Sequence, residues 1–304
     1  MCILSATVET VAATKLFTSV LQDGQRQFVV YSNTVDTTVE NNTMILPVPN
    51  PDTVQFINLS SYKYFFEDVQ SSFKKKYDEH THSSMLYASR SAAASFDRPL
   101  PVYAVGSYSV SIVPSVADFY RLNRSEFSID RDLPLLLVQQ YDDPTFGFLV
   151  CKLRKGNHSY HPFAYTHAIH NERLLFLPTY HIHPDGSKLT PEKYADWDHV
   201  IYAAETDLEQ ANLDISRSPE YYFSGWGVDW TKLPAELQWM KNSHAQRIAI
   251  KGYKQNKDLW LRNTKDFTVY ASQLTPDPDS YRRAKFPIGS PEGLRNIQRF
   301  FGSR

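Results

Sequence analysis

Cysteine is nearly absent: the 304 residues hold two, Cys2 and Cys151. Two cysteines cannot form a disulfide framework, and this pair has no metal-site spacing. The expectation is a reducing, cytoplasmic compartment. There, the Asn-x-Ser/Thr sequons at Asn41, Asn58, Asn123 and Asn157 stay bare. Glycine is also scarce, at 11 residues. No phosphate loop, dinucleotide fingerprint, G-x-S-x-G elbow or kinase signature occurs, so nucleotide-cradling chemistry is not expected. No apolar run approaches the roughly 18 residues of a membrane span; the richest, LPLLLV and LLFL, are strand or short-helix length. The opening MCILSATVETVAA lacks a basic leader, and Glu9 and Lys15 interrupt any apolar stretch, so no secretory signal is expected. Charge of one sign is missing too. With 32 basic against 33 acidic residues the net charge is −1. No global field draws the chain to a membrane surface, and nucleic acid is not an expected partner.

Aromatic residues are abundant. Nineteen Tyr and 18 Phe, within a composition 42% hydrophobic, can bury a large core. Extended patterns dominate. RQFVVYSNTV (26–35) follows the turn signal QDGQ, so residues 15–35 read as a hairpin. NTMILPVPNP (42–51) reads as a strand stopped by alternating prolines, which cannot donate to a central ladder. VYAVGSYSVSIV (102–113) alternates strictly between apolar and serine positions, as a half-buried strand does. FGFLVCKLR, HPFAYTHAI, RLLFLPTYHIH, HVIYAAE, RIAIKGY and DFTVYAS add further strands.

Helices are fewer and scattered. Tyr62, Phe65, Phe66, Val69 and Phe73 share one helical face, predicting a helix over 60–76 capped by Ser60 or Ser61. Short helices are predicted at 115–122 and 133–141. TPEKYADW (190–197) has a Thr cap, Pro at the first helical position and an early Glu; 233–242 and 290–301 complete the set. The polar stretch 74–98 reads as a loop. The fold class is α+β, predominantly antiparallel β with short helices packed on the sheets. A strand-rich main domain over 1–205 would carry an α+β extension over 206–304, or the two would form one continuous domain.

Three chemistries are open. Removal of Met1 would leave a thiol and an α-amine on Cys2, and the amine could take the thiol proton as in N-terminal-nucleophile amide hydrolases. Asn33 is the early candidate for the oxyanion donor. Against this, Cys packs readily as a small hydrophobe. Second, seven of the ten histidines lie between 158 and 199: His158, His161, His167, His170, His181, His183 and His199. On a strand, His181 and His183 of TYHIHPDG project to one face. With His199 they could hold zinc or iron in a metal-dependent enzyme. The alternative is a polar sheet face. Third, aromatic strands and the basic C-terminal helix could serve a non-enzymatic binding or assembly protein, through self-association or a protein partner. This third reading needs no rare feature and is preferred.

Several of these landmarks together, an early cysteine, MILPVP (44–49), PVYAVGSYSV, FGFLVCKLR and LLFLPTYHIH, resemble a family of uncharacterised bacterial proteins over roughly residues 1–185. The chain differs from that family in lacking a secretion signal. The resemblance implies one strand-rich unit through the first two-thirds of the chain, and no activity.

Overall fold

The computed structural model describes residues 3–22, 24–74, 98–170, 174–184, 192–204, 206–207, 220–222, 227–242 and 245–263. Cys2, most of the polar stretch 74–98, the strand expected at 266–272 and the helix expected at 290–301 lie outside the described residues. In chain order the strands are β1 (Ile3–Leu4), β2 (Thr10–Val20), β3 (Arg26–Thr37), β4 (Thr43–Pro49) and β5 (Gln55–Asn58). After helix α1 (Phe65–Lys74) come β6 (Tyr103–Val105) and β7 (Tyr108–Val113). Helix α2 (Leu133–Gln140) precedes β8 (Phe146–Lys152), β9 (Gly156–Ser159), β10 (Phe163–Ala168), β11 (Leu174–Leu177) and β12 (Tyr194–Ala204). The remainder is β13 (Thr206–Asp207), β14 (Glu220–Tyr222), β15 (Ala245–Gln255) and β16 (Leu259–Asn263).

Three sheets result. The largest has the order β14-β15-β12-β2-β3-β10-β5, with β9 also on β3. It is antiparallel throughout except where β2 runs parallel to β12. A five-stranded antiparallel sheet has the order β1-β4-β8-β7-β6, and a small third one the order β11-β16-β13. Strands on both sides of residue 205 therefore belong to the same sheets. The chain is α+β with mostly antiparallel strands and few short helices. Among the described residues no helix is long and apolar enough to cross a membrane.

The layers follow from the two-residue side-chain period. Leu16, Val29, Tyr31, Tyr165, Ile201 and Ile248 face inward from the large sheet onto Leu46, Val48, Val110, Leu149 and Cys151 of the five-stranded one. The alternate residues face outward. Phe17, Phe28, Val30 and Tyr202 meet Phe65, Phe66 and Val69 of α1, with Leu237 and Met240 of the 3-10 helix Ala235–Asn242. Trp230 and Trp239 pack against this same layer. On the far side, Ile45, Val113, Phe148 and Val150 are covered by Leu133 and Leu137 of α2 and by Phe119. Edge-to-face ring pairs such as Phe17–Phe65, 5.4 Å apart at 89°, orient the α1 layer. Each such pair contributes about 0.5–1.5 kcal/mol beyond the buried area.

Several local expectations change in context. Residues 190–197 do not form a helix: from Tyr194 the chain is already in β12. Ala195, Trp197, His199 and Ile201 alternate inward, and that burial outweighs the Thr-Pro-Glu start signal. The helix expected from residue 60 starts at Phe65, after a turn in which the Asn58 side chain, not Ser60 or Ser61, accepts the Ser60 N–H. The segments at 115–122 and 233–242 are 3-10 rather than α. Pro47 and Pro49 lie within β4, not beyond it, because β1 pairs only with Met44 and Ile45 and leaves the proline end of β4 without a ladder on that side.

Gly147 shows how tightly the five-stranded sheet closes on its flank. A Cβ there would lie 2.5 Å from the Val113 carbonyl and 2.6 Å from Pro51 Cβ. Backbone cannot yield as a side-chain tip can, so Gly147→Ala should lower stability by about 1–3 kcal/mol. Calorimetry checks this; an unchanged melting midpoint would contradict the close approach.

Candidate functional site

The histidine-rich region separates on folding. His167 is fully buried and its Nδ1 pairs with the Ala168 carbonyl at 2.8 Å. His161 Nε2 accepts the Ser107 N–H at 3.0 Å, so its Nδ1–H donates to the Pro162 carbonyl at 2.9 Å. His170 lies near Thr145 Oγ1 and Asp143, and His158 near the Lys155 carbonyl. Each is held by local backbone or side-chain groups.

His181, His183 and His199 do come together. The His181 ring stacks on His183, centroids 6.0 Å apart and planes 5° from parallel, and on His199 at 5.2 Å and 10°. Trp197 sits against two of them, 5.4 Å from His181 and 4.6 Å from His199. His199 and Trp197 arrive by the inward alternation of β12. His181 arrives through a separate clamp: Asn256 Oδ1 accepts the His181 N–H at 2.7 Å and Asn256 Nδ2 donates to its carbonyl at 2.8 Å. Two residues on, Asp258 Oδ1 accepts the N–H groups of Thr179 (2.8 Å) and Tyr180 (2.9 Å), while Oδ2 accepts the Tyr141 hydroxyl at 2.7 Å. Leu4 N–H closes the other side on the Ile182 carbonyl at 2.9 Å. The segment 179–182 is thus strapped from both flanks.

Among the described residues no group of three or more His, Cys, Asp or Glu side chains is placed to hold an ion. Imidazole binds metal through a lone pair in the ring plane. The structure brings the three expected residues together with near-parallel rings, without a three-ligand set for zinc or iron among the described residues. Burial keeps the His181 and His199 rings neutral. It lowers the pKa of His181 and of His199, with the neighbouring imidazole of the stack acting in the same direction. Neither ring nitrogen of His181 has a hydrogen-bond partner among the described residues.

Asn33, the expected oxyanion donor, is buried on β3. Its amide donates to the Tyr31 hydroxyl at 3.2 Å and lies 3.9 Å from Met44 Sδ. That amide points into the core. Cys2, its proposed partner, lies outside the described residues.

A different surface stands out. Described residues cover the outer face of the large sheet over Phe17, Phe28 and Tyr202, but among the described residues none covers the far ends of β12 and β15. There Tyr253 is 72% and Tyr194 41% exposed, and their rings stack at 5.7 Å. Lys193 Nζ lies 5.8 Å from the Tyr194 ring centre. The register sets Asp196 opposite Tyr253 and Asp198 opposite Lys251 on this face. Sequence reasoning missed it because YADW was read as a helix, which hides the β12–β15 pairing that brings the two tyrosines together.

No family model matches the chain. Among solved structures it is similar to baculovirus P35, at 14% identity over 87% of this chain and 100% of that one, with a TM-score of 0.45. A mutated baculovirus P35 after caspase cleavage is similar at 13% identity over 84% and 100% of the two chains, with a TM-score of 0.45. For a caspase-8/P35 complex the values are 13%, 84%, 97% and 0.41. None of these likenesses assigns a function to this chain.

Two outcomes follow for the clamp and the buried rings. Burial raises the Asp258 pKa from 3.8 to about 6, against the hydrogen bonds from Tyr141, Tyr180 and Thr179, which lower it. The folded protein therefore takes up this proton before the unfolded chain does, and Asp258 adds stability as pH falls from about 6 to about 4. The histidines act oppositely. Their folded pKa values lie below 6.5, with His167 near 4, so their contribution is complete above 6.5 and is lost as pH falls below it. Denaturant titrations across pH should show a steeper acid loss in Asp258→Asn than in wild type, and a shallower one in His199→Phe. Parallel curves for all three would contradict the assignment. Asp258→Ala, which strands two N–H groups and a hydroxyl, should cost about 2–4 kcal/mol at neutral pH.

Proposed function

We propose that the protein is a non-enzymatic binding or assembly protein that engages a protein partner, or a second copy of itself, through its aromatic strand surface. The observation that carries this reading is the exposed, stacked Tyr194–Tyr253 pair on sheet positions that no described helix covers. Tyrosine combines a large apolar area, little conformational freedom to lose and a polar tip, which is why it is enriched at interface cores. The pair is held on regular strands, so it is presented in a fixed geometry. The basic segment at 290–301, the other element of this reading, lies outside the described residues.

The test compares wild type with Tyr194→Ala/Tyr253→Ala. Both positions are solvent-facing, so folding should be retained within about 0.5 kcal/mol per site. Light scattering across a concentration series reads self-association, and quantitative affinity capture reads partners. The double variant should lose either the association or at least one captured protein. Identical mass profiles and identical captures would overturn the reading.

A further inference from the structure

The tyrosine pair sits on a face that carries both signs of charge. Tyr194 and Asp196 point outward from β12, and Lys251 and Tyr253 point outward from β15. Asp196 is directly opposite Tyr253 in the ladder, and Lys251 lies two residues before Tyr253 on the same strand. All four side chains are exposed. Asp196 and Lys251 are diagonal neighbours across the two strands. They form no ion pair with each other or with any other described residue. The other charges at this end are already engaged. Asp198 Oδ2 accepts the Ala13 N–H and its Oδ1 is buried, while Lys193 Nζ lies over the ring of Tyr194.

An acid and a base beside one exposed aromatic ring make a self-complementary patch. A two-fold axis lying along the face sets Asp196 of one copy against Lys251 of the other, and the same rotation sets Lys251 of the first against Asp196 of the second. Strand geometry fixes where that axis runs. With strands about 5 Å apart and about 7 Å between alternate residues, the line that exchanges Asp196 with Lys251 passes within roughly 2 Å of Tyr253. The two Tyr253 rings then meet near the axis, flanked by the two ion pairs. Asp198 is about as close to the axis on β12, but its carboxylate is turned in toward β2. A partner carrying one sign of charge would leave either Asp196 or Lys251 facing its like. We propose that this face binds a second copy of the chain about a two-fold axis beside Tyr253, with Asp196 and Lys251 paired reciprocally between the copies. The inference rests on the binding reading above and narrows it to self-association of one defined symmetry.

Sedimentation of the full chain over a concentration series should show a monomer–dimer equilibrium that weakens with added salt. Asp196→Lys and Lys251→Glu each set like charges together twice per dimer, and each should weaken association by about tenfold or more. An equimolar mixture of the two variants should dimerise as wild type does, because a mixed pair restores both contacts. Mixing would not repair a fault in folding. If either reversal does not fold, Asp196→Asn and Lys251→Gln read the same contact, each as a weaker dimer. A wild type that stays monomeric, charge variants that associate as wild type does, or a mixture as weak as its components would overturn the proposal. Should capture of another protein still depend on Tyr194 and Tyr253, such a result sinks the second copy alone. With neither association nor capture dependent on the tyrosines, the binding reading falls as well.

Discussion

The structure depends on one register, that of β2 against β12. Among the described residues this is the one parallel pairing in the large sheet, and it joins the N-terminal hairpin to the strand that begins at Tyr194. A bulge fixes it. The β2–β3 ladder shifts between Ala12 and Lys15, Ala13 takes φ 55, and the Ala13 N–H donates to Asp198 Oδ2 at 2.5 Å. From there Lys15 pairs with Val200, Leu16 with Ile201 and Phe17 with Tyr202. Leu16 and Ile201 therefore meet the inter-sheet core, and Phe17 and Tyr202 meet α1. Strand side chains alternate with period two, so a slip by one residue would exchange these faces and turn the aromatic layer into the wrong compartment. A positive φ on alanine is a local cost that the surrounding pairing sustains.

The same register sorts polar from exposed residues along β12. Trp197 and His199 go inward to the imidazole stack, and Tyr194 and Asp196 go outward to the open end of the face. The stack is best understood as core. Buried neutral imidazoles pack at a tilt against the indole of Trp197, and the strap of Asn256 and Asp258 satisfies the backbone that delivers His181. The two ends of β12 thus differ in kind. One is covered by helices, and the other presents the exposed Tyr194–Tyr253 pair.

Much of the fold was legible because it is written with short-range signals. The QDGQ turn between β-branched runs gives the β2–β3 hairpin, strict alternation gives β7, and the Tyr62–Phe73 face gives α1. What was not legible depends on pairing between distant strands. The Thr-Pro-Glu signal at residue 190 is a sound local argument that loses to eleven residues of pairing with β15. Asn256 and Asp258, in a run that reads as an ordinary polar turn, become clamps only because β16 lies beside β11. The HxH spacing placed two imidazoles on one side, but whether nitrogens or ring faces would meet is set by χ angles and neighbours that no spacing encodes.

The register can be measured directly. Isotope-edited NMR on the full chain reads interstrand backbone contacts between β2 and β12. The account predicts contacts linking Leu16 with Ile201 and Phe17 with Tyr202. Side-chain contacts displaced by one residue, with Leu16 on the face of Tyr202 and Phe17 on the face of Ile201, would contradict it.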